Sequence, residues 1–156
     1  MMGRVRFEHD DGGRAAAGFR GATGDCVVRA VAIAGALDYQ WTYDALNEVA
    51  QRERPRKGRT RSSSREGVKT ATVRRFLDGL GWPWTATMEI GSGCQVHLRA
   101  DELPEGRLVV NLSKHLAAVI DGTVHDTDPD VARGGTRCVY GYWTVPAGWS
   151  PEEANR

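Results

Sequence analysis

No stretch of the chain approaches the ~18 consecutive apolar residues that a helical membrane span requires, and its opening MMGRVRFEHDDGGR is too polar for a secretory signal. Cysteine is scarce. Cys26, Cys94 and Cys138, an odd number at separations of 68 and 44 residues, do not suggest a disulfide framework and are expected to be free thiols in a reducing compartment. These absences predict a cytoplasmic protein without membrane association. Excess charge of one sign is also missing: 21 Lys or Arg against 20 Asp or Glu leave +1, which argues neither for nor against nucleic acid. No internal repeat is present, and no cofactor is expected. What remains, 156 residues of which 40% are hydrophobic, suffices for one core. Residues 1–150 are read as one domain and 151–156 as a disordered tail.

The charge is unevenly placed. Residues 52–65, RERPRKGRTRSSSR, hold seven basic residues and one acid, have no apolar face, and are expected to form, with Glu66, a flexible Arg-rich loop. Clustered guanidinium groups attract phosphates, but no aromatic residue is interleaved to stack on bases, so nucleic acid is a minor reading of this stretch.

Helical periodicity surrounds the loop. In TGDCVVRAVAIAGAL, Thr23 or Asp25 can cap a helix whose apolar positions, among them Val27, Ala30, Val31, Ala34 and Leu37, cover most of its circumference, with Gly35 near its end. Such a helix belongs at the centre of a fold. A second is expected over residues 42–51 and a third over 68–80, stopped by Gly81 and Pro83. The second half changes period: residues 84–90, 107–112, 115–120, 123–127 and 137–145 read as strands, with Asp121-Gly122 as a hairpin turn. Helices first and strands after predict an α+β fold, the Cys26 helix packed on a mostly antiparallel sheet.

The hairpin carries the chemistry. A two-residue turn opposes Ile120 to Thr123 and Val119 to Val124; counting outward sets Ala117 against Asp126 and His115 against Asp128. His115 therefore has an acid directly opposite, Asp128, and another diagonal to it, Asp126. A thiol at a helix N-terminus, a histidine opening a strand and an acid on the return strand are the parts thiol catalysis needs. The helix dipole and an imidazolium stabilise the thiolate, the histidine shuttles the proton, and the acid orients the ring. Backbone N–H groups of Cys26 and the preceding GATGD loop could meet an oxyanion.

This order of Cys, helices, His and acid resembles the papain-like cysteine peptidase superfamily over roughly residues 20–145. GDCVVRAVAIA is similar to the Cys motif of OTU-type deubiquitinases, and DTDP is similar to the His and Asp-Pro end of transglutaminase-like and bacteriocin-leader peptidases. The resemblance implies a small intracellular cysteine peptidase or isopeptidase acting on a protein or peptide. Cys26, His115 and Asp128 or Asp126 would be its catalytic residues, and Asp25 would sit in the oxyanion or substrate-binding loop. Papain-type enzymes carry a Gln oxyanion donor six residues before the Cys. Arg20 stands there, as a substitute donor, a carboxylate binder or an exposed charge. Val27 replaces the Gly that often follows the nucleophile. The same trio serves other acyl transfers and amidases, and a catalytically silent binding module using the Arg-rich loop and an aromatic groove is the alternative of another class.

The remaining chemistry-bearing residues have plainer readings. Cys94, His97 and Cys138 offer three zinc ligands where a closed site wants four. Trp82, Trp84, Tyr140, Tyr142 and Trp143 suit core and groove wall. Arg29 is expected to pair with an acid, and His9 and His97 to lie at the surface.

Overall fold

The computed structural model describes residues 3–155. Three helices come early, α1 (Cys26–Gly35), α2 (Tyr39–Ala50) and α3 (Thr70–Gly79). Strand β1 (Arg6–His9) precedes them. After them come β2 (Trp84–Ala86), β3 (Val96–His97), β4 (Arg107–Leu112), β5 (His115–Ile120), β6 (Thr123–Asp126), β7 (Cys138–Val139) and β8 (Gly141–Thr144). The main sheet runs β1-β6-β5-β4-β8-β2, and β3 pairs with β7 apart from it. Every pairing is antiparallel except β1 on β6. The expected α+β arrangement, with the Cys26 helix on a mostly antiparallel sheet, is what the chain forms.

The all-round apolar character of α1 explains its place. Val28, Val31 and Ala34 are fully buried where α1 packs on β4, β5 and α2, in one core cluster with Val109, Ala118, Leu46 and Leu77. Burial of each such Val or Leu contributes about 1.5–3 kcal/mol. Gly35 is the last helical residue, and its need is spatial: a Cβ there would come within 2.8 Å of the Trp82 ring. The left-handed residue that ends the helix is Ala36, at φ 52. The opposite sheet face buries Leu98, Leu108, Val110, Val119, Val124 and Val139.

The hairpin register is the one the turn predicts. Asp121 (φ 48) and Gly122 (φ 77) form the turn, and Ile120 faces Thr123, Val119 faces Val124 and Ala118 faces His125. The ladder stops there. Asp126 ends β6, its carbonyl accepting from Asp10 N–H at 3.0 Å, and the chain leaves the sheet before Thr127 or Asp128 can oppose β5.

Other expectations require correction. The second helix begins at Tyr39 rather than at residue 42, because the Asp38 carboxylate accepts from Trp41 N–H and caps it there. The run 84–90 is a strand only to Ala86, and 137–145 is split at Tyr140 between two sheets. Gly141 permits the second piece, since a side chain there would overlap the Trp84 ring. Residues 151–155 are not a free tail: Pro151–Asn155 forms a 3₁₀ turn whose Ala154 packs on the core. Arg156 lies outside the described residues.

The Arg-rich loop is anchored along its second half rather than free throughout. Ser64 is buried, its N–H donating to Asn47 Oδ1 at 2.8 Å and its hydroxyl to the Tyr43 carbonyl at 2.6 Å. Ser63 and Gly67 exchange backbone hydrogen bonds. Glu53 accepts from Ser62 N–H and from the Thr72 hydroxyl. Burial raises its pKa, but these bonds and Lys69 outweigh that and bring it down to about 2.

Two of the three thiols are not free. Cys94 and Cys138 form a disulfide, with Cα atoms 5.8 Å apart, which ties the loop after β2 to β7. The sequence separation of 44 had no local signal for it, and the argument from free thiols to a reducing compartment falls with it. Among the described residues, no helix is long and apolar enough to cross a membrane.

Thiol titration of the denatured protein should find one reactive cysteine before reduction and three after. Glu53→Gln should destabilise the fold by about 1–3 kcal/mol near neutral pH, since it weakens a nearly buried charge-assisted network. A carboxyl whose folded pKa is depressed stabilises above its unfolded value and loses that contribution as pH falls through about 2. The difference between wild type and variant in urea titrations should therefore narrow over that acidic range.

Candidate active site

Cys26 is the first residue of α1, and how the helix begins decides what surrounds the sulfur. Asp25 holds the N-cap position, yet its side chain makes no capping bond. It turns inward, fully buried, to accept from Tyr39 Oη at 2.6 Å and from the Arg29 guanidinium one turn along α1. The Thr23 hydroxyl donates instead to the Arg65 carbonyl at 2.9 Å. Neither expected cap is formed, so the first-turn N–H groups have no side-chain acceptor, and Asp25, Cys26 and Val27 line a cavity.

That cavity has a volume of about 590 Å³. Cys26 lies in its wall, half-buried, with residues 66–68 on one side and Asn111, Lys114, His115 and Tyr140 on the other. Gly24 lets the 66–68 side approach: its N–H donates to the Arg65 carbonyl at 2.6 Å, and a Cβ on it would stand 2.7 Å from the Glu66 carbonyl.

His115 arrives by the tight turn at Ser113-Lys114, which sets Leu112 opposite His115 and holds Lys114 at φ 56. Its Nε2 stands 2.5 Å from Asp126 Oδ2. Nδ1 is the ring nitrogen left for the sulfur. Burial disfavours the imidazolium, but the bonds to Asp126 and to Cys26 favour it more, and the ring pKa is raised to about 9. Burial likewise pushes the Cys26 thiol up; the His115 ring, the Leu116 N–H and the charge of Arg29 outweigh it, and the thiol titrates below its ordinary value. The two shifts have one cause, a proton better held by imidazole than by sulfur.

Asp126 is 2% exposed, and nothing about it is left free. Its second oxygen, Oδ1, accepts from Thr127 N–H at 2.6 Å, Asp128 N–H at 3.3 Å and Arg29 Nη2 at 3.4 Å. Burial raises its pKa, while His115, the Thr127 N–H and Arg29 hold it below the usual carboxylate range. Arg29 thus joins Asp25 to Asp126, and a polar chain runs Tyr39, Asp25, Arg29, Asp126, His115.

Of the residues named from sequence, Cys26, His115 and Asp126 come together. Asp128 does not reach the ring. It accepts from Asp130 N–H at 3.0 Å and caps the 3₁₀ turn Pro129–Gly135, because the ladder ends before it could oppose His115. Asp25 belongs to the cavity lining, but its carboxylate is fully buried and bound to its inner partners. Arg20 is exposed, does not line the cavity, and offers its carbonyl to Arg65 Nη2 at 3.1 Å. Arg29 has the acid partners expected of it, though its link to Asp126 crosses 97 residues and left no local signal. Asn111 and Tyr39 were missed as parts of the site. Only the four-residue Asp25-to-Arg29 spacing pointed toward the network behind it. His97 Nδ1 lies 3.2 Å from Glu102 Oε1, and its two proposed zinc co-ligands are bonded to each other.

Comparison of the chain with protein-family models, curated proteins and solved structures finds no match to any of them.

Alkylation of Cys26 by iodoacetamide should show a pH midpoint below that of an ordinary thiol. His115→Ala should move the midpoint up and slow the reaction at neutral pH. Asp126→Asn should also raise the midpoint, and Asp128→Ala should leave it close to wild type. The reverse order of the two acid variants would contradict the geometry.

Proposed function

We propose that the protein is a small cysteine hydrolase, a peptidase or isopeptidase with a papain-like arrangement, that cleaves an amide bond of a protein or peptide through an acyl-thioester. The observation that carries the reading is that His115, one ring nitrogen bound to a buried carboxylate, lines the same open cavity as Cys26 and lowers the pKa of that thiol. A structural cysteine needs none of these neighbours.

In this reading the Cys26 thiolate attacks the carbonyl carbon and forms a carbon–sulfur bond. The tetrahedral oxyanion is met by the Cys26 N–H at the uncapped mouth of α1. Asn111, the one side-chain amide lining the cavity, supplies the donor that Arg20 does not. As the C–N bond breaks, His115 gives its proton to the departing amine. It then takes a proton from water, whose oxygen attacks the thioester, and the acid leaves with the thiolate restored. Asp126 keeps the ring oriented throughout and stabilises it whenever it carries the proton. Location is a separate matter: the cytoplasm is proposed only with Cys94–Cys138 opened, since protein disulfides persist mainly in oxidising compartments.

The reading is tested with peptide aldehyde or vinyl sulfone probes and with libraries of quenched peptide and isopeptide substrates. The expected result is one covalent adduct, on Cys26, and turnover that Cys26→Ala and His115→Ala abolish. Asp126→Asn should lower kcat by about 10²-fold or more. Activity should rise as the thiol ionises, below the ordinary thiol range, and fall again as pH passes about 9 and His115 loses its proton. Slow labelling of Cys26, no adduct and no turnover would favour the silent binding module instead.

A further inference from the structure

The Arg-rich segment and the start of α3 enclose a feature that the catalytic reading does not use. Residues 52–75 carry ten Lys or Arg and two acids, a net +8 in a chain of net +1, so the rest of the molecule is net −7. Folding concentrates this asymmetry in a hollow. Two adjoining cavities, of about 220 and 420 Å³, share Arg54, Arg56, Arg59 and Lys69 as walls, with Arg61 completing one and Arg52 and Arg75 the other.

The only acid in either wall is Glu53, and it is already committed to Ser62, Thr72 and Lys69. Among the described residues, none of the six arginines lies within 4.0 Å of a carboxylate. All six are exposed. Like charges packed without counter-charges repel one another, and an anion of matching geometry relieves that repulsion. A protein partner usually anchors on buried aromatic or aliphatic side chains. The walls offer only Pro55 and Ala71. The cations also spread over more chain than one small phosphate could neutralise.

We propose that this hollow binds the phosphate backbone of a nucleic acid, without regard to base sequence because contacts to phosphates carry no sequence information. Residues 66–68, which continue the same segment, form one wall of the cavity beside Cys26, so the hollow and that cavity are joined along the chain. Nucleic-acid binding thereby places the Cys26 site beside proteins carried on the strand. The binding itself does not depend on the catalytic reading.

The test is fluorescence anisotropy with a short labelled single strand of mixed sequence and the full chain. Binding should weaken roughly 10²-fold between about 50 and 200 mM salt, the loss for about five neutralised phosphates. Arg56→Ala/Arg59→Ala should bind about tenfold more weakly with a shallower salt slope, while Arg56→Lys/Arg59→Lys keeps most of the affinity. Both doubles should retain the wild-type Cys26 alkylation rate, which reports an intact fold, and Cys26→Ser should bind the strand normally. The proposal is overturned by the absence of binding at the lower salt, or by binding that the alanine double leaves unchanged. It is equally overturned if poly-Glu of equal charge competes as well as the strand, which would indicate an acidic protein partner. Full displacement by stoichiometric ATP would indicate a small-phosphate site instead and would also refute it.

Discussion

The guanidinium of Arg29, held between two buried carboxylates, is the interaction on which the rest of this structure depends. Asp25 stands at the mouth of α1 and Asp126 at the end of β6, and Arg29 on α1 touches both. Two carboxylates cannot be taken out of water together without a counter-charge. Removing one partner of such a buried set typically costs about 3–5 kcal/mol. Because the cation is rigid and planar, it also fixes where each acid points. The helix that carries the sulfur is thereby locked to the strand that carries the acid behind the imidazole.

This arrangement accounts for a feature that would otherwise be a defect. A helix whose N-cap aspartate makes no cap forgoes about 1 kcal/mol of stability. Here the aspartate is worth more turned inward, onto Arg29 and Tyr39, and burial with Asp25 beside it raises the pKa of that phenol. The helix end left without a side-chain cap lies in the cavity wall. The same choice that organises the interior therefore leaves the positive end of the helix dipole next to Cys26, where it favours the ionised thiol.

Much of this was legible in the chain. The apolar positions of α1 could only belong to a central helix, Asp121-Gly122 fixed the hairpin register, and the register brought His115 and the two acids within reach of one another. Which acid would serve was not legible. Opposition across a ladder favours Asp128, but the ladder ends at Ala118 and His125 because β6 also pairs with β1, a parallel strand from the far end of the chain. Asp126, paired with His9 of β1 but with no β5 residue opposite it, reaches Arg29 and His115 with its side chain. The Cys94–Cys138 bond, the anchoring of Ser62 and Ser64, and the packing of residues 151–155 were hidden for the same reason: each joins segments with no periodicity of their own.

Local chemistry by itself determined that a cysteine would open a buried helix, that a histidine would open a strand, and that basic charge would gather between residues 52 and 65. These follow from side-chain pattern, turn geometry and composition, which act over a few neighbouring residues. Tertiary structure alone decided that Asp126 and not Asp128 binds the imidazole, that Arg29 ties helix to strand, and that the arginines line a hollow. Those outcomes turn on the cost of burying charge, and that cost is set only when distant parts of the chain close around the same volume and exclude water from it.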